Sequence, residues 1–445
     1  MRAIFTALTV LSLAACGSNT GDDGNNGPGS PDACVGLECQ VVKCQAQQKP
    51  STTIVGTVYA PNGTLPLYGV SVYVPREAPA PFTEGAQCSR CTDELSGSPV
   101  AKVQSDDQGH FKLENVPSGD NIPLVITTGK WRRQIVIPRV ESCTDTTLIA
   151  EDTRLPKNKA EGDIPKIALT TGSADSLECL VRKLGIADSE VTTDTGDGRV
   201  HFYAGNGVNK FSNGGNFTAA QTMWGNVDKL KQYDIVLLSC EGGQHPETKP
   251  QAALDAMKAY ADLGGRVFAS HWHNIWVEGS TQGGGTQRPT VWPSIATWTN
   301  GGNTNVDTID LIDEASNPKG SAFASWMLNV MGSTVRSEIP IANVPPPNNG
   351  STGRTTCNQV DPAKGERWTY LKDQGGYTQN FQFTTPNEQP LDTRCGKVVF
   401  SDMHVSGGPS GMPYPAGCPL NPLTPQEKAL AFMFFDIASC VGPIF

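Results

Sequence analysis

Hydrophobic patterning divides the chain into stretches of different period. Residues 3–13 are mostly apolar behind Arg2 and end at the small-residue junction Leu13-Ala14-Ala15-Cys16. That run is too short to cross a bilayer and reads as a cleavable signal peptide over 1–15. Residues 17–32 offer nothing to bury and predict a flexible tether, so 16–50 forms a polar, cysteine-containing lead. From residue 53 short β-rich runs follow at 53–60, 69–75, 109–114, 122–127 and 133–137. Turn chemistry separates them at Pro61-Asn62-Gly63, Asp106-Asp107-Gln108-Gly109 and Pro117-Ser118-Gly119-Asp120. The pattern predicts a β-sandwich over 51–150.

Residues 151–165 are polar, charged and proline-bounded, which predicts a linker. Beyond it the period changes. A buried strand at 166–170 precedes Leu177, Leu180, Val181 and Leu184, spaced i, i+3, i+4, i+7 before Gly185, the grammar of strand, loop, amphipathic helix and stop. The same grammar returns as a strand at 233–239, a helix over 249–263 and a strand at 266–270. It closes with a strand at 397–401 and a helix opened by the capping box Thr424-Pro425-Gln426-Glu427. Its body, 429–440, is apolar nearly all round, which predicts burial inside the fold. Alternating strands and helices predict a three-layer α/β domain over 166–445, flavodoxin-like, with a mostly parallel sheet and its ligand site at the C-terminal strand ends. The Gly-, Pro- and Asn-rich stretch 277–394, with Pro345-Pro346-Pro347 at its middle, reads as a long loop-rich insertion laid over the sheet edge. The whole is an α+β multidomain chain.

Composition adds an address. The net charge of −10, with no Lys/Arg-rich run, excludes nucleic acid as a main partner. The junction ending at Cys16 resembles a lipobox, in which the cysteine is diacylated and becomes the mature N-terminus. That resemblance implies a membrane partner through a lipid anchor at Cys16. With Gly17 rather than Asp after it, the resemblance to enterobacterial sorting implies the outer membrane of a Gram-negative cell, on its periplasmic or surface face. Twelve of the thirteen cysteines then remain in an oxidising compartment, where disulfides are the default. Cys34, Cys39 and Cys44 crowd one segment; Cys88 and Cys91 form a C-x-x-C that lacks the second pair of a zinc ribbon.

The sandwich has a family likeness. Ile54-Val55-Gly56-Thr57-Val58, Leu67-Tyr68-Gly69-Val70-Ser71-Val72, Asp107-Gln108-Gly109-His110-Phe111 and Leu113-Glu114-Asn115-Val116-Pro117-Ser118-Gly119 resemble the carboxypeptidase regulatory-like, transthyretin-like domain. The resemblance implies a spacer or binding module without catalysis.

Chemistry gathers in the second domain. His245, His271, His273 and His404 fall just after predicted strands, with Cys240, Glu241 and Asp402 beside them. Tyr233-Asp234 to Leu238, Gly264-Gly265-Arg266 to His271 and Gly396-Lys397-Val398 to His404 resemble the class I glutamine amidotransferase-like superfold and its trehalose-utilisation, ThuA-like branch. A glutaminase of that superfold would carry cysteine where this chain has Ser270-His271-Trp272-His273, and Glu where it has Ser406, so a Cys-His-Glu triad is not expected. Metallocarboxypeptidase activity is not expected either, because no H-x-x-E surrounds any histidine. Three readings stay open. His271 and His273, with His404, His245 and Glu241 or Asp402, could bind a divalent metal such as zinc. His271 or His404, oriented by Glu241 or Asp402, could do acid/base work without metal. Or these residues serve only to hold a loop. Cys240 is a candidate nucleophile, yet among exported cysteines a disulfide is its ordinary fate. The leading expectation is a cell-envelope binding or scaffold lipoprotein for carbohydrate or a protein partner; the alternative is a hydrolase-like or ThuA-like enzyme using the His-rich site.

Overall fold

The computed structural model describes residues 36–280, 287–299, 308–341, 353–373, 375–405 and 411–442. The signal peptide, Cys16 and Cys34 lie outside the described residues. Among those described, no helix is long and apolar enough to cross a membrane.

The first unit pairs two sheets. Strands β1 (Thr53–Thr57), β4 (His110–Glu114) and β7 (Asp145–Thr147) form one sheet. The other contains β2 (Ser71–Pro75), β3 (Pro99–Gln104), β5 (Gly119–Thr128) and β6 (Trp131–Val140), in the order β3-β2-β5-β6. Period two drives the fold: in β4 Phe111 and Leu113 are buried while His110, Lys112 and Glu114 face water. Ile54, Phe111 and Leu113 from one sheet share a core with Val72, Val74, Leu124 and Ile126 from the other. Two strands escaped the sequence pattern. β3 is an edge strand without a fully buried face, and β7 is three residues long.

The stretch expected as a linker is packed. Helix α1 (Ala150–Thr153) leads into Arg154, whose buried guanidinium pairs with Glu151 and Glu161, while Leu155 and Ile164 join the core. Polar composition misled here because the Arg154 guanidinium is buried and neutralised by carboxylates that still reach water, while apolar residues of the same stretch join the core. Two disulfides, Cys88–Cys395 and Cys91–Cys440, tie the sandwich side to the second unit, so each cysteine of the C-x-x-C reaches its own distant partner. Trp131 packs on Phe434 and Phe435, and Tyr68 stacks on Phe432. Gly129 sits at φ 53°, where an added Cβ would lie 1.8 Å from the Ala438 carbonyl oxygen, so no larger residue fits that approach. Cys44–Cys143 closes the sandwich itself, and Cys179–Cys418 the second unit.

That second unit is built on a 13-stranded sheet. Its parallel half comprises β8 (Ile167–Thr170), β9 (Val191–Thr192), β10 (Val200–Ala204), β11 (Thr218–Ala219), β12 (Ile235–Leu238) and β13 (Arg266–Ser270). The other strands are β14 (Ala296–Trp298), β15 (Thr308–Ile312), β16 (Glu338–Ile341), β17 (Cys357–Val360), β18 (Glu366–Leu371), β19 (Thr378–Thr385) and β20 (Gly396–Ser401). The main path runs β11-β10-β8-β12-β13-β20-β19-β18-β15-β16. Pairing is parallel as far as β20 and antiparallel beyond it. The sheet is therefore mixed, not mostly parallel, and the stretch 277–394 does not merely cover an edge: it contributes β14 to β19.

Helices cover both faces: α2 (Leu177–Lys183), α3 (Gln221–Trp224), α4 (Val227–Leu230), α5 (Gln251–Asp262), α6 (Ile275–Glu278), α7 (Gly320–Asn329) and α8 (Pro425–Ala438). Alternation sorts the strand residues. Ile167, Leu169, Ile235, Leu237, Phe268 and Val399 pack with α2, α7 and α8, while Ala168, Val236, Leu238, Val267, Ala269, Val398 and Phe400 pack with α3, α5 and α6. The expected capping box opens α8, and its Glu427 also accepts from buried Lys183 Nζ at 2.7 Å, locking α8 to α2.

One buried acid makes this core sensitive to pH. Glu178, in the first turn of α2, leaves Oε2 unpartnered among the described residues; lost hydration first, then the nearby Asp175 charge, push its carboxyl up to about 8. The folded state thus holds this proton more tightly than the unfolded chain. Its contribution is fully present below the unfolded value of about 4.3 and is lost as pH rises towards about 8. Glu178→Gln is expected to stabilise the protein by about 2 kcal/mol at pH 8 and not at pH 4. Urea unfolding at both pH values checks this, and equal changes at the two would refute it.

Candidate functional site

The chain leaves β8 for β10 on one side and then crosses to β12 on the other, so the order reverses between β8 and β12. Loops leaving these strands meet there, and open α/β sheets bind ligands at such points. Cys240 follows β12, His271 follows β13 and His404 follows β20, and the three offer ligand-type atoms within 4.8 Å of one another, all buried.

Cys240 lies 3.6 Å from His271 Nδ1 and has no disulfide partner among the described residues, contrary to its expected oxidation. Burial pushes its thiol up to about 12, although the backbone N–H groups of Trp272 and Gly242 donate towards sulfur. It is thus a neutral thiol at physiological pH, poorly suited to nucleophilic attack. His271 takes a left-handed backbone, φ 41°, directly after its strand. A non-glycine residue held there stores strain, a feature that clusters at functional sites.

The other predicted residues scatter. His273 Nε2 donates to the Ser239 carbonyl and its Nδ1 accepts from Trp276 Nε1, both at 2.9 Å, so no nitrogen is left for a metal. The i, i+2 argument failed because the chain coils into a short 3-10 turn at His271–Asn274 instead of staying extended. His245, half-buried, pairs with Glu247. Glu241 forms a buried ion pair with Lys249 rather than orienting a histidine. Asp402 is buried, and desolvation pushes its carboxyl up to about 8, so it is mostly protonated near neutral pH.

Two residues that sequence reasoning missed complete the arrangement. Asp175, after β8, accepts from Ser270 Oγ at 2.6 Å and from the Val405 backbone N–H at 2.7 Å, pinning the His271 and His404 loops together. Burial lifts it to about 6. Arg354, from the insertion, is buried and donates to the Asp402 carbonyl at 3.0 Å and to His404 Nδ1 at 3.1 Å. Neither stands in a motif.

Arg354 also weighs against the metal reading. Arginine can only donate, so His404 Nδ1 must be a bare acceptor and Nε2 carries the proton. A metal-bound histidine needs the reverse, a free lone pair on one nitrogen and an N–H on the other that donates outward. A guanidinium beside the cluster further opposes a dication. The divalent metal expected from His271, His273, His404 and His245 does not fit these partners. The second cluster of suitable atoms, Glu178, Cys179 and Cys418, is tied up in a disulfide.

The chain matches no protein-family model and no curated protein. Solved structures similar to it include a ThuA-like protein from Bacteroides uniformis, 12% identical, covering 61% of this chain and 90% of that one at a TM-score of 0.31. Two mutants of a type II cohesin–X-dockerin complex from Acetivibrio cellulolyticus also match. One is 12% identical and covers 33% of this chain and 79% of that one, TM-score 0.16; the other is 14% identical and covers 34% and 95%, TM-score 0.17.

Proposed function

We propose that this is a lipid-anchored cell-envelope protein whose α/β domain binds a small polar ligand, a carbohydrate, at the strand ends that carry His271 and His404. One observation carries the reading. Both imidazoles are buried, yet each leaves Nε2 without a partner among the described residues, where the fold brings its loops together. An unmet buried donor costs about 1–3 kcal/mol, so a ligand oxygen is favoured there. The parallel strand order supports a flavodoxin-like core, and the carboxypeptidase regulatory-like sandwich serves as its rigid spacer. On a glycan array the full-length protein is expected to bind at least one glycan, with His271→Gln/His404→Gln weakening it at least tenfold. No glycan bound by the wild type, or equal binding by both, overturns the proposal.

A second reading, a hydrolase-like enzyme, draws on the strained backbone of His271. The buried neutral thiol of Cys240 weighs against it. Turnover of a bound glycan, lost in Cys240→Ala, would favour the enzyme.

The anchor is tested separately. Cys16→Ala is expected to move the protein from the membrane to the soluble fraction of fractionated cells. Retention in the membrane would refute lipidation at Cys16.

A further inference from the structure

We infer that His271 and His404 form a two-donor cradle, in which two neutral Nε2–H groups grip a single carbonyl or carboxylate oxygen of the ligand. The inference rests on the strand-end binding site proposed above and adds the chemistry of what is bound there.

The argument starts from tautomers, because a neutral imidazole donates from one nitrogen and accepts at the other. For His404 the guanidinium of Arg354 occupies Nδ1, which places the proton on Nε2. For His271 the partner at Nδ1 is Cys240, whose sulfur already receives two backbone N–H groups and remains a thiol. The S–H therefore donates to His271 Nδ1, and the proton of this ring also sits on Nε2. Two different side chains, one on the β12 loop and one from the insertion, thus impose the same tautomer on two histidines from different strand ends.

The rings lie close, with centroids 5.3 Å apart and planes inclined by 52°. A single ligand oxygen would satisfy both buried Nε2 atoms, which have no partner among the described residues. Burial and the Arg354 charge hold both imidazoles neutral, pushing them well below the usual histidine range. They remain dipolar donors and do not become cations. Of the groups around the pair, Arg354 is positive, Asp402 is held mostly protonated by burial, and Asp175 spends its oxygens on Ser270, Ser176 and Val405. That balance favours an oxygen bearing partial or full negative charge over a hydroxyl, since fixed donors in a dry site gain most from charge on the acceptor. Arg354 and Cys240 are positioning residues: they act on the ligand through the histidines.

Nitrogen-15 NMR of full-length protein labelled at histidine tests this directly. At pH 7 both residues are expected to show a protonated Nε2 and a bare Nδ1, with acetate and D-glucuronate shifting both Nε2–H signals and D-glucose shifting neither. Arg354→Met is expected to mix the two tautomers of His404 without changing those of His271, and Arg354→Lys to restore the Nε2–H form. A proton on Nδ1 of either histidine, or loss of both Nε2–H signals on adding stoichiometric zinc, overturns the cradle. Correct tautomers with no response to acetate or D-glucuronate overturn the ligand class. In both cases glycan binding that depends on His271 and His404 would leave the broader site standing, so the two failures are distinguishable.

Discussion

Replacing both Cys88 and Cys91 by serine is expected to destabilise the protein by roughly 4–8 kcal/mol and to decouple the sandwich from the α/β unit. Cys88–Cys395 and Cys91–Cys440 span 307 and 349 residues, so each confines a very large loop of the unfolded chain. A native disulfide typically contributes about 2–5 kcal/mol, and the two act on the same pair of segments, so their sum overstates the joint effect. What remains at the interface is both apolar, Trp131 against Phe434 and Phe435 and Tyr68 on Phe432, and polar, with Lys130 paired to Asp234 and Trp326 Nε1 donating to the Pro66 carbonyl. Guanidinium unfolding followed by tryptophan fluorescence measures the loss. Cys44→Ser/Cys143→Ser is the control, since it opens a 99-residue separation inside the sandwich without touching the interface. A loss below about 2 kcal/mol for the first pair would show that the non-covalent contacts suffice to join the units.

Periodicity made much of the fold legible. Leu177, Leu180, Val181 and Leu184 all face the core, and Thr424 and Glu427 cap α8 as their spacing predicts. Strand β10 was missed because His201 interrupts its apolar run. Inside the protein that histidine is satisfied by Tyr233 OH at 2.9 Å and the Gly198 carbonyl at 3.1 Å, so it costs the strand little. The insertion misled through composition. Its glycines, prolines and asparagines suggest loops, yet Trp368, Phe381 and Phe383 sit buried in a continuing sheet. At the site, sequence brought His271, His404 and Cys240 to attention because each follows a strand. It could not show Asp175 or Arg354, single polar residues whose importance comes from contacts across 95 and 50 residues. Nor could it separate His271 from His273, which depends on how the chain turns after Ser270.

Glu241 illustrates the same limit and yields the second large effect: Lys249→Met is expected to cost about 3–5 kcal/mol. Lys249 is fully buried, with Nζ 4.8 Å from the Trp224 ring and paired to Glu241, itself 5% exposed. Removing the ammonium strands a carboxylate in a site with little water, whereas removing both charges leaves neither to solvate. Lys249→Met/Glu241→Gln should therefore recover most of the loss in urea unfolding. The cycle also bears on function. A catalytic or ligand-binding Glu241 would lose ligand affinity on conversion to Gln while stability changed little. A Glu241 that serves as counter-ion to Lys249 gives the opposite: Glu241→Gln destabilises by leaving the ammonium unpaired, and whatever remains folded binds ligand as the wild type does. The second pattern is expected, because Lys249 engages the carboxylate and His273, the imidazole nearest to it, has both nitrogens occupied by Ser239 and Trp276.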